Sequence, residues 1–437
     1  MRLSANRLTK KAAAGVRELS VIVSIPAENT LQSKGVLIPL HFALLLAVCL
    51  AACSRHQQQT QRLQSLSIHS VDSTGSGGWN PRMAAAYLDE REAWWMGWKG
   101  AARDNSTFCV SCHTTIPYIL ARAKLDSVLG EPFPSPDEQK LFDNVSQRVR
   151  DWKTDAPYYE DSLKYPHQSQ NARGTESVLN ALILVNRDFG SGRISEDAKL
   201  ALDNMWDEQM QGGDQRGAWP WQEFDLEPWE SRNSVYYGAT LAAVVVGMTP
   251  PGYRLSPAVQ AHIALLRDYL NRNYPKQCMF NRLQLLWAAT RIAGLVDARL
   301  ESDIVAQTLA KQRTDGGWNF PSLVAVDGWN SARWMALFNR RRDGTRQYAG
   351  SDGLATGLVV SSLLQAGVSA KNPQVARGLE WLRQHQRLSD GSWVAYSYNE
   401  ERDPQSYVGH FMTDAATGYA ALALSEWADQ SRVQGRS

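Results

Sequence analysis

The stretch RGLEWLRQHQRLSDGSW, residues 377–393, decides the fold class. It predicts an amphipathic helix that ends in Gln, a turn that contains Gly391, and then Trp393. Further copies occur at 308–318 (TLAKQRTDGGW) and, more weakly, at 205–219 (MWDEQ leading to GAW). Each copy would place turn residues and a Gln amide against the open carbonyls of a helix end, with the indole packed over it. The pattern therefore predicts a repeated helical hairpin.

A second recurrent element lies between these copies. It consists of four segments that open with small residues and a Thr and that would form helices with apolar residues on nearly every side. They begin at Gly174, Gly238, Ala355 and Ala416. Other helices must surround a helix that is apolar all round, whereas the charged and amphipathic Gln-to-Trp helices fit an outer layer. Strand-like alternation is scarce. We therefore expect an all-α body of alternating inner and outer helices.

The Gln…Gly-x-Trp copies resemble the QW repeats of squalene-hopene cyclases, terpene cyclases and protein prenyltransferases. The resemblance covers roughly residues 170–430. It implies an α/α toroid of helical hairpins, in which an inner ring of helices encloses a central cavity. A generic helical solenoid with Gly-Trp turns is the alternative.

The resemblance does not extend to the catalytic motifs of these families. A cyclase protonates an alkene with an Asp-rich motif, but the two residues before each inner-helix Thr are not acidic here. The nearest acids are Asp352 and Asp414, for which helix N-capping is the simpler role, and Glu176, for which we expect a buried hydrogen bond. The Asp-x-Cys of the prenyltransferase zinc site does not occur. Whether the chain is an enzyme is therefore left open.

The N-terminal region predicts export. Residues 1–34 are basic, and residues 36–53 run apolar and end in small residues, which is typical of a signal peptide over 1–52. LAAC at 50–53 resembles a bacterial lipobox and implies lipidation of Cys53, followed by a flexible tether over 53–78. We expect a lipoprotein of the bacterial cell envelope that faces the periplasm. An uncleaved hydrophobic helix is the alternative.

The sequence CVSCH at 109–113 carries the strongest chemical signal. Cys49 and Cys53 belong to the export signal, so that the mature chain keeps Cys109, Cys112 and a solitary Cys278. On a helix, both sulfurs and the His113 imidazole would project from one face, where two thioethers and one iron ligand could hold a porphyrin. Cys-x-x-Cys-His also resembles the attachment signature of c-type cytochromes. We expect one covalent haem c with His113 as an axial iron ligand.

Three alternatives to haem stay open: a thioredoxin-like redox pair, a structural zinc site and a local disulfide. The sixth iron ligand is also open, and its candidates are Met83, Met96 and His167. We expect a helical segment over 79–165 that carries the haem site, the toroid over 166–430, and a tail over 431–437.

Charge and composition limit the classes of function that this chain could have. The net charge is +2, with 46 basic and 44 acidic residues dispersed along 437, and this excludes a nucleic-acid partner. The leading hypothesis is a lipid-anchored haem protein in electron transfer or redox chemistry, with a redox partner protein or a quinone-like molecule. The alternatives are a cyclase-like enzyme acting on an isoprenoid and a non-catalytic binding module of the envelope.

Overall fold

A computed structural model describes residues 78–325, 335 and 337–434, without the side chains of 431–434. The predicted signal peptide, Cys53 and all but the last residue of the predicted tether lie outside these residues. Twelve long helices make up the described chain. They are α1 Pro81–Gly97, α2 Thr115–Leu129, α3 Pro136–Arg150, α4 Gln168–Asp188, α5 Glu196–Asp207, α6 Ser234–Met248, α7 Pro257–Asn273, α8 Met279–Ala289, α9 Ala298–Ala310, α10 Gly353–Gln365, α11 Pro373–Gln384 and α12 Phe411–Gln434.

The connections hold short helical pieces at Pro251–Arg254, Phe320–Val324, Asp104–Ser106, Tyr274–Lys276 and Val408–His410. The described ranges contain isolated β-bridges but no strand. The all-α class predicted from the sequence is therefore confirmed. None of the helices in this part of the chain has the length and apolar character that crossing a bilayer requires.

Even- and odd-numbered helices differ in burial. In α6, 13 of the 15 residues are buried, including the run Leu241–Val246. In α9, by contrast, only Ile304 and Thr308 are buried among 13 residues. Each even-numbered helix buries a larger share of its residues than any odd-numbered helix, as expected where a helix has more neighbours.

The contacts between helices follow chain order. The even-numbered helices contact one another in the sequence α2, α4, α6, α8, α10, α12, and α12 in turn contacts α2. Each odd-numbered helix contacts the even-numbered helix that precedes or follows it. Residues 79–165 supply α1, α2 and α3, which pack against α4 and α12 of the following region.

Three Gln side chains join successive outer helices. The Nε2 group of Gln209, Gln312 and Gln386 donates to a Gly carbonyl in its own turn and to a carbonyl of another odd-numbered helix or its cap. This is the next odd-numbered helix for Gln209 and Gln312, and the first helix for Gln386. For Gln386 the second partner is Asn80, the N-cap of α1, whose N–H also donates to Gln386 Oε1 at 2.6 Å. These bridges connect α5 to α7, α9 to α11, and α11 to α1. The partners are Gly217 and His262 for Gln209, Gly316 and Gln374 for Gln312, and Gly391 and Asn80 for Gln386.

The Trp of each repeat closes its own hairpin. Its Nε1–H donates to a carbonyl two residues before the end of the preceding odd-numbered helix, and in two copies its backbone N–H donates to a Thr hydroxyl of the next even-numbered helix. The indole, and not the Gln amide, therefore meets the helix end. The pairs are Trp219 with Met205, Trp318 with Thr308 and Thr356, and Trp393 with Leu382 and Thr417.

Candidate functional site

The CVSCH segment lies in the connection between α1 and α2 and not within a helix. Ser111 acts as a cap, because its Oγ accepts hydrogen bonds from the N–H groups of Thr114 at 3.1 Å and Thr115 at 3.0 Å. Cys109 consequently precedes the first helical turn, while Cys112 and His113 belong to the turn that leads into α2. The single helical face predicted for the three side chains is wrong, because Ser111 starts the turn inside the motif.

Neighbouring segments hold the motif from both sides. The N–H of Cys109 donates to the carbonyl of Ala101 at 2.9 Å, and its carbonyl accepts from Trp95 Nε1 at 2.7 Å. Asn144 of α3 pairs with both backbone groups of Phe108, at 2.8 and 3.0 Å. The backbone before the motif is therefore fixed by hydrogen bonds rather than left as an open loop.

Both sulfurs and the imidazole line one cavity. Its empty space measures about 1060 Å³, a figure that includes the open solvent at its mouth. Cys109, Cys112 and His113 all contribute to the lining. Aromatic rings form much of the remaining wall, namely Trp95, Trp98, Tyr158, Tyr159, Trp229 and Phe411.

The environment of the two thiols bears on the redox-pair alternative. The sulfurs carry no disulfide bond. Burial raises the pKa of Cys109 to about 11 and the pKa of Cys112 well above its usual value. A thioredoxin-like pair needs a thiolate with a lowered pKa, whereas buried apolar surroundings keep a thiol protonated and inert. The site therefore does not have the electrostatics of a dithiol oxidoreductase.

The imidazole of His113 has a defined orientation. Its ring stacks on Phe411 with centroids 3.9 Å apart and meets the edge of Trp95 at 5.2 Å. Burial and then the charge of Arg91 lower the pKa of His113 to about 3, so that the ring is neutral at pH 7. His113 Nδ1 lies 2.9 Å from the hydroxyl of Thr114.

The partners of Thr114 determine which imidazole nitrogen carries the proton. The Thr114 hydroxyl donates to Asp414 Oδ2 at 2.8 Å, and a hydroxyl has a single proton to give. It must therefore accept from His113, which places the hydrogen on Nδ1 and leaves the Nε2 lone pair free. A neutral imidazole with its second nitrogen anchored in this way is the form that metal-ligating histidines take.

Asp414 anchors this chain of hydrogen bonds. Its carboxylate accepts from Tyr87 at 2.9 Å, from Arg91 Nε at 2.7 Å and Nη2 at 3.0 Å, and from Thr114. Burial raises the pKa of Asp414, and Arg91 opposes this effect most strongly. Every partner is a donor, which fits an ionised carboxylate. The predicted N-cap role of Asp414 is wrong, because its oxygens are committed to side chains of α1 and of the motif.

Two further acids have the roles expected of them. Asp352 is the N-cap of α10, where it accepts from the N–H of Ala355 at 2.9 Å. Glu176 is buried and pairs with Arg148 of α3, with Nε and Oε1 2.6 Å apart. Neither residue lines the cavity.

The candidates for a sixth iron ligand lie elsewhere. Met83 and Met96 are buried in the core on α1, and Met83 packs against the backbone of Gly391. His167 is exposed at the start of α4. The lining of the cavity includes none of the three, but it includes Met412 in the first turn of α12.

Glu230 is a cavity residue that the sequence did not single out. Among the described residues its carboxyl group makes no hydrogen bond or ion pair, and burial raises its pKa to about 7. It lies close enough to Cys109 and Cys112 to raise the pKa of both thiols. No motif marks the connection between α5 and α6 that carries Glu230, so only the fold reveals its place.

Comparisons with known proteins identify no family. No family model matches the chain, and no curated protein is similar to it. A solved glycosidase structure is 14% identical, with a TM-score of 0.44, and the match covers 80% of this chain and 98% of that one. A glycosidase in complex with glucose is 14% identical, with a TM-score of 0.38, over 85% of this chain and 98% of that one. Both TM-scores lie below 0.5, so we draw no conclusion about the fold or the activity of this chain from these two structures.

Proposed function

We propose that this chain is an exported, lipid-anchored c-type haem protein that serves electron transfer or redox chemistry at the bacterial cell envelope. One observation carries the proposal: the two sulfurs and the imidazole of a Cys-x-x-Cys-His segment line the same aromatic-walled cavity. A covalently held haem would supply a one-electron iron centre there. The proposed partner is a redox protein or a quinone-like molecule.

The residues present suit a haem. Cys109 and Cys112 would hold the macrocycle through thioethers, and His113 has an Nε2 lone pair available for iron. The chain from His113 through Thr114 to Asp414 would keep the ring oriented. Arg402, the only Lys or Arg on the described lining, lies 3.5 Å from Glu400 and would have to exchange that pairing for one with a haem carboxylate. Met412 would be a further group to hold the iron in preference to Met83, Met96 and His167, because it lines the cavity and they do not.

We also propose that the body is an α/α toroid, in which the twelve long helices of the described chain form six hairpins. The ring would then include α1, α2 and α3 as well as the predicted region over 166–430. The order of contacts supports it, since each even-numbered helix contacts its successor and α12 contacts α2. The bridge from Gln386 on the α11 side to Asn80 at α1 supports it as well, because it joins the last outer helix to the first.

The haem proposal has a direct test. The full chain, expressed in a bacterium with the cytochrome c assembly machinery, should give a Soret band and an intact mass that includes one haem. Cys109→Ser with Cys112→Ser should abolish both signals. Cys278→Ser is the matched control, because this third buried cysteine lies off the cavity. An unmodified mass for the unaltered protein would overturn the proposal.

One observation favours a second candidate, a cyclase-like enzyme that acts on an isoprenoid. An unpartnered acid, Glu230, faces a cavity whose aromatic walls would stabilise a cationic hydrocarbon. Haem-free protein should then convert squalene, and Glu230→Gln should stop the reaction. A non-catalytic binding module would give neither the Soret band nor turnover.

A further inference from the structure

A tight hairpin between α5 and α6, residues 221–230, forms one wall of the cavity that the CVSCH segment lines. The N–H of Phe224 donates to the carbonyl of Glu230 at 2.8 Å, and Leu226 and Glu230 exchange two backbone hydrogen bonds at 2.9 and 2.8 Å. Trp221 Nε1 donates to the carbonyl of Trp229 at 2.8 Å. These bonds fix the backbone of the hairpin, so its side chains have defined positions on the cavity. The hairpin residues that line the cavity are Gln222, Leu226, Glu227, Trp229 and Glu230.

Most polar groups on the lining already have a protein partner. Glu227 accepts from the Ser231 hydroxyl at 2.8 Å, and the side chain of Asn399 pairs with both backbone groups of Glu227, at 3.0 and 2.8 Å. These groups therefore do not require a ligand. The other lining residues with such a partner are Ser111, Tyr158, Thr175, Ser397 and Arg402.

Two polar side chains of the hairpin have no such partner. Among the described residues, the amide of Gln222 and the carboxyl group of Glu230 make no hydrogen bond or ion pair. Their polar atoms are accessible, in contrast to Trp229 Nε1, which is enclosed without a partner. Gln222 is only 4% exposed, so the accessible surface of its amide lies on the cavity that it lines. An unpaired amide and an unpaired carboxyl group thus share one wall.

Glu230 is also close to the sulfurs of the motif. Its charge raises the pKa of both Cys109 and Cys112, and burial raises its own pKa to about 7. Near pH 7 such a carboxyl group can both accept a proton and release it again. A proton acceptor therefore lies beside the proposed attachment points of the haem.

The chemistry of the lining favours a hydroxylated aromatic ring as the ligand of this wall. A carboxylate accepts a hydrogen bond, and an amide both donates and accepts, so both free groups suit hydroxyl groups. Trp98 and Tyr159 add an indole N–H and a phenol to the lining, which can also bond to oxygen. The rings of the wall favour a flat ligand, because aromatic groups stack on one another. These rings belong to Trp95, Trp98, Tyr158, Tyr159, Trp229 and Phe411.

A free carboxyl group in a redox site distinguishes between donors that lose protons and donors that do not. Oxidation of a hydroquinone to a quinone breaks two O–H bonds and releases two electrons and two protons. A bound haem would supply a one-electron acceptor, with the redox partner protein as the final acceptor of both electrons. The carboxylate of Glu230 would accept the protons in turn and release them to water at the mouth of the cavity. An electron from a protein donor carries no proton, so it would leave Glu230 and Gln222 without a role.

We infer that the hairpin wall binds a hydroquinone as the substrate of the haem site, with Gln222 and Glu230 on its hydroxyl groups and Glu230 as the acceptor of its protons. The inference rests on the proposed function and names the substrate class of that site. It concerns residues that belong to no part of the Cys-x-x-Cys-His segment.

Binding is tested on the haem-loaded full chain with its iron reduced, since reduced iron takes no electron from the ligand. Calorimetric titration with methylhydroquinone should be saturable, and its dimethyl ether, which has no O–H to donate, should bind about tenfold more weakly. Gln222→Leu should lower the affinity for methylhydroquinone about three- to tenfold, as expected for one hydrogen bond. Equal affinities for the two compounds, no binding of either, or an unchanged affinity in Gln222→Leu would each overturn the inference.

Reduction kinetics test the role of Glu230. Stopped-flow reduction of the oxidised haem-loaded chain is measured with methylhydroquinone, which must lose protons, and with hexaammineruthenium(II), which loses only an electron. Glu230→Gln should slow the reaction with methylhydroquinone by about a hundredfold, as expected for the loss of a general base, and leave the ruthenium reaction almost unchanged. Glu223→Gln is the matched control, because Glu223 belongs to the same hairpin but lies off the cavity, 3.3 Å from Arg232.

Two kinetic results would overturn the inference. One is an equal rate with methylhydroquinone in the two variants, and the other is an equal slowing of both donors by Glu230→Gln. A chain that shows the Soret band and gives either result refutes the inference alone. A chain without the Soret band refutes the proposed function instead.

Discussion

The ion pair between Arg91 and Asp414 allows a sharp test, because the chain contains an exposed pair of the same geometry. Arg91 Nε and Nη2 lie 2.7 and 3.0 Å from Asp414, and the two side chains are 4% and 1% exposed. Arg150 uses the same two nitrogens on Asp197, at 2.7 and 2.6 Å, but its side chain is 64% exposed. The two pairs differ in burial and in two further contacts of Arg91, which donates from Nη2 to the carbonyl of Tyr407 at 2.9 Å and lies over the ring of Trp94.

Replacing each arginine by methionine keeps most of the side-chain stem and removes the charge. Arg91→Met leaves a buried carboxylate without its cation and should lower the free energy of unfolding by about 3–5 kcal/mol. Arg150→Met should cost only about 0.2–1 kcal/mol, since water screens the exposed pair. The expected difference of about 3 kcal/mol equals roughly a hundredfold change in the unfolding equilibrium.

Urea unfolding followed by circular dichroism, at pH 5 and pH 8, is the measurement. Without Arg91, the pKa of Asp414 should rise further above its unfolded value, because burial already raises it and Arg91 opposes this. A carboxyl group with a raised folded-state pKa costs stability where it is ionised, so the deficit of Arg91→Met should be larger at pH 8 than at pH 5. Equal losses for the two variants would refute the reasoning.

Three further outcomes follow from the repeats and the motif. Gly391→Ala should lower the free energy of unfolding in urea by about 1–3 kcal/mol more than Gly367→Ala. Both glycines have a φ of +80°, but only the Cβ added at Gly391 would lie 2.5 Å from the backbone of Met83. Equal losses would contradict this. Gln386→Leu should lower the thermal midpoint, since two hydrogen bonds to Asn80 at the cap of α1 and one to Gly391 are lost at about 0.5–1.5 kcal/mol each; an unchanged midpoint in calorimetry would show that the bridge is not stabilising. Thr114→Val should lower the free energy of unfolding in urea by about 1–3 kcal/mol, because Asp414 loses one hydrogen-bond donor. Thr114→Ser keeps the hydroxyl group and should leave the stability almost unchanged. Identical losses for the two variants would assign the effect to packing alone.

The layers of the fold could be predicted from the sequence because their cause is local. A helix that is apolar on every side, such as α6, must be surrounded, and a Gln, Gly and Trp in fixed order mark the end of an outer helix. The residue to which each Gln side chain is hydrogen-bonded could not be predicted. Gln386 bonds to Asn80, 306 residues earlier, and sequence spacing contains no trace of that contact.

The sequence identified several residues of the cavity but not their geometry. The spacing of Cys109, Cys112 and His113 identified the residues that share a cavity. The helical arrangement failed because the Ser111 side chain competes for the first N–H groups of α2. Glu230 and Met412 were missed because no motif marks the connection that carries Glu230 or the first turn of α12 that carries Met412. Only the packing of distant segments brings them to the cavity.

The bridge between Gln386 and Asn80 also limits how the chain could change its length. An open solenoid tolerates the gain or loss of a repeat, since its two ends are free. Here the final outer helix is hydrogen-bonded to the cap of the first, and α12 contacts α2. In the proposed toroid, an inserted hairpin would separate both contacts at once, which would confine growth of the chain to the turns.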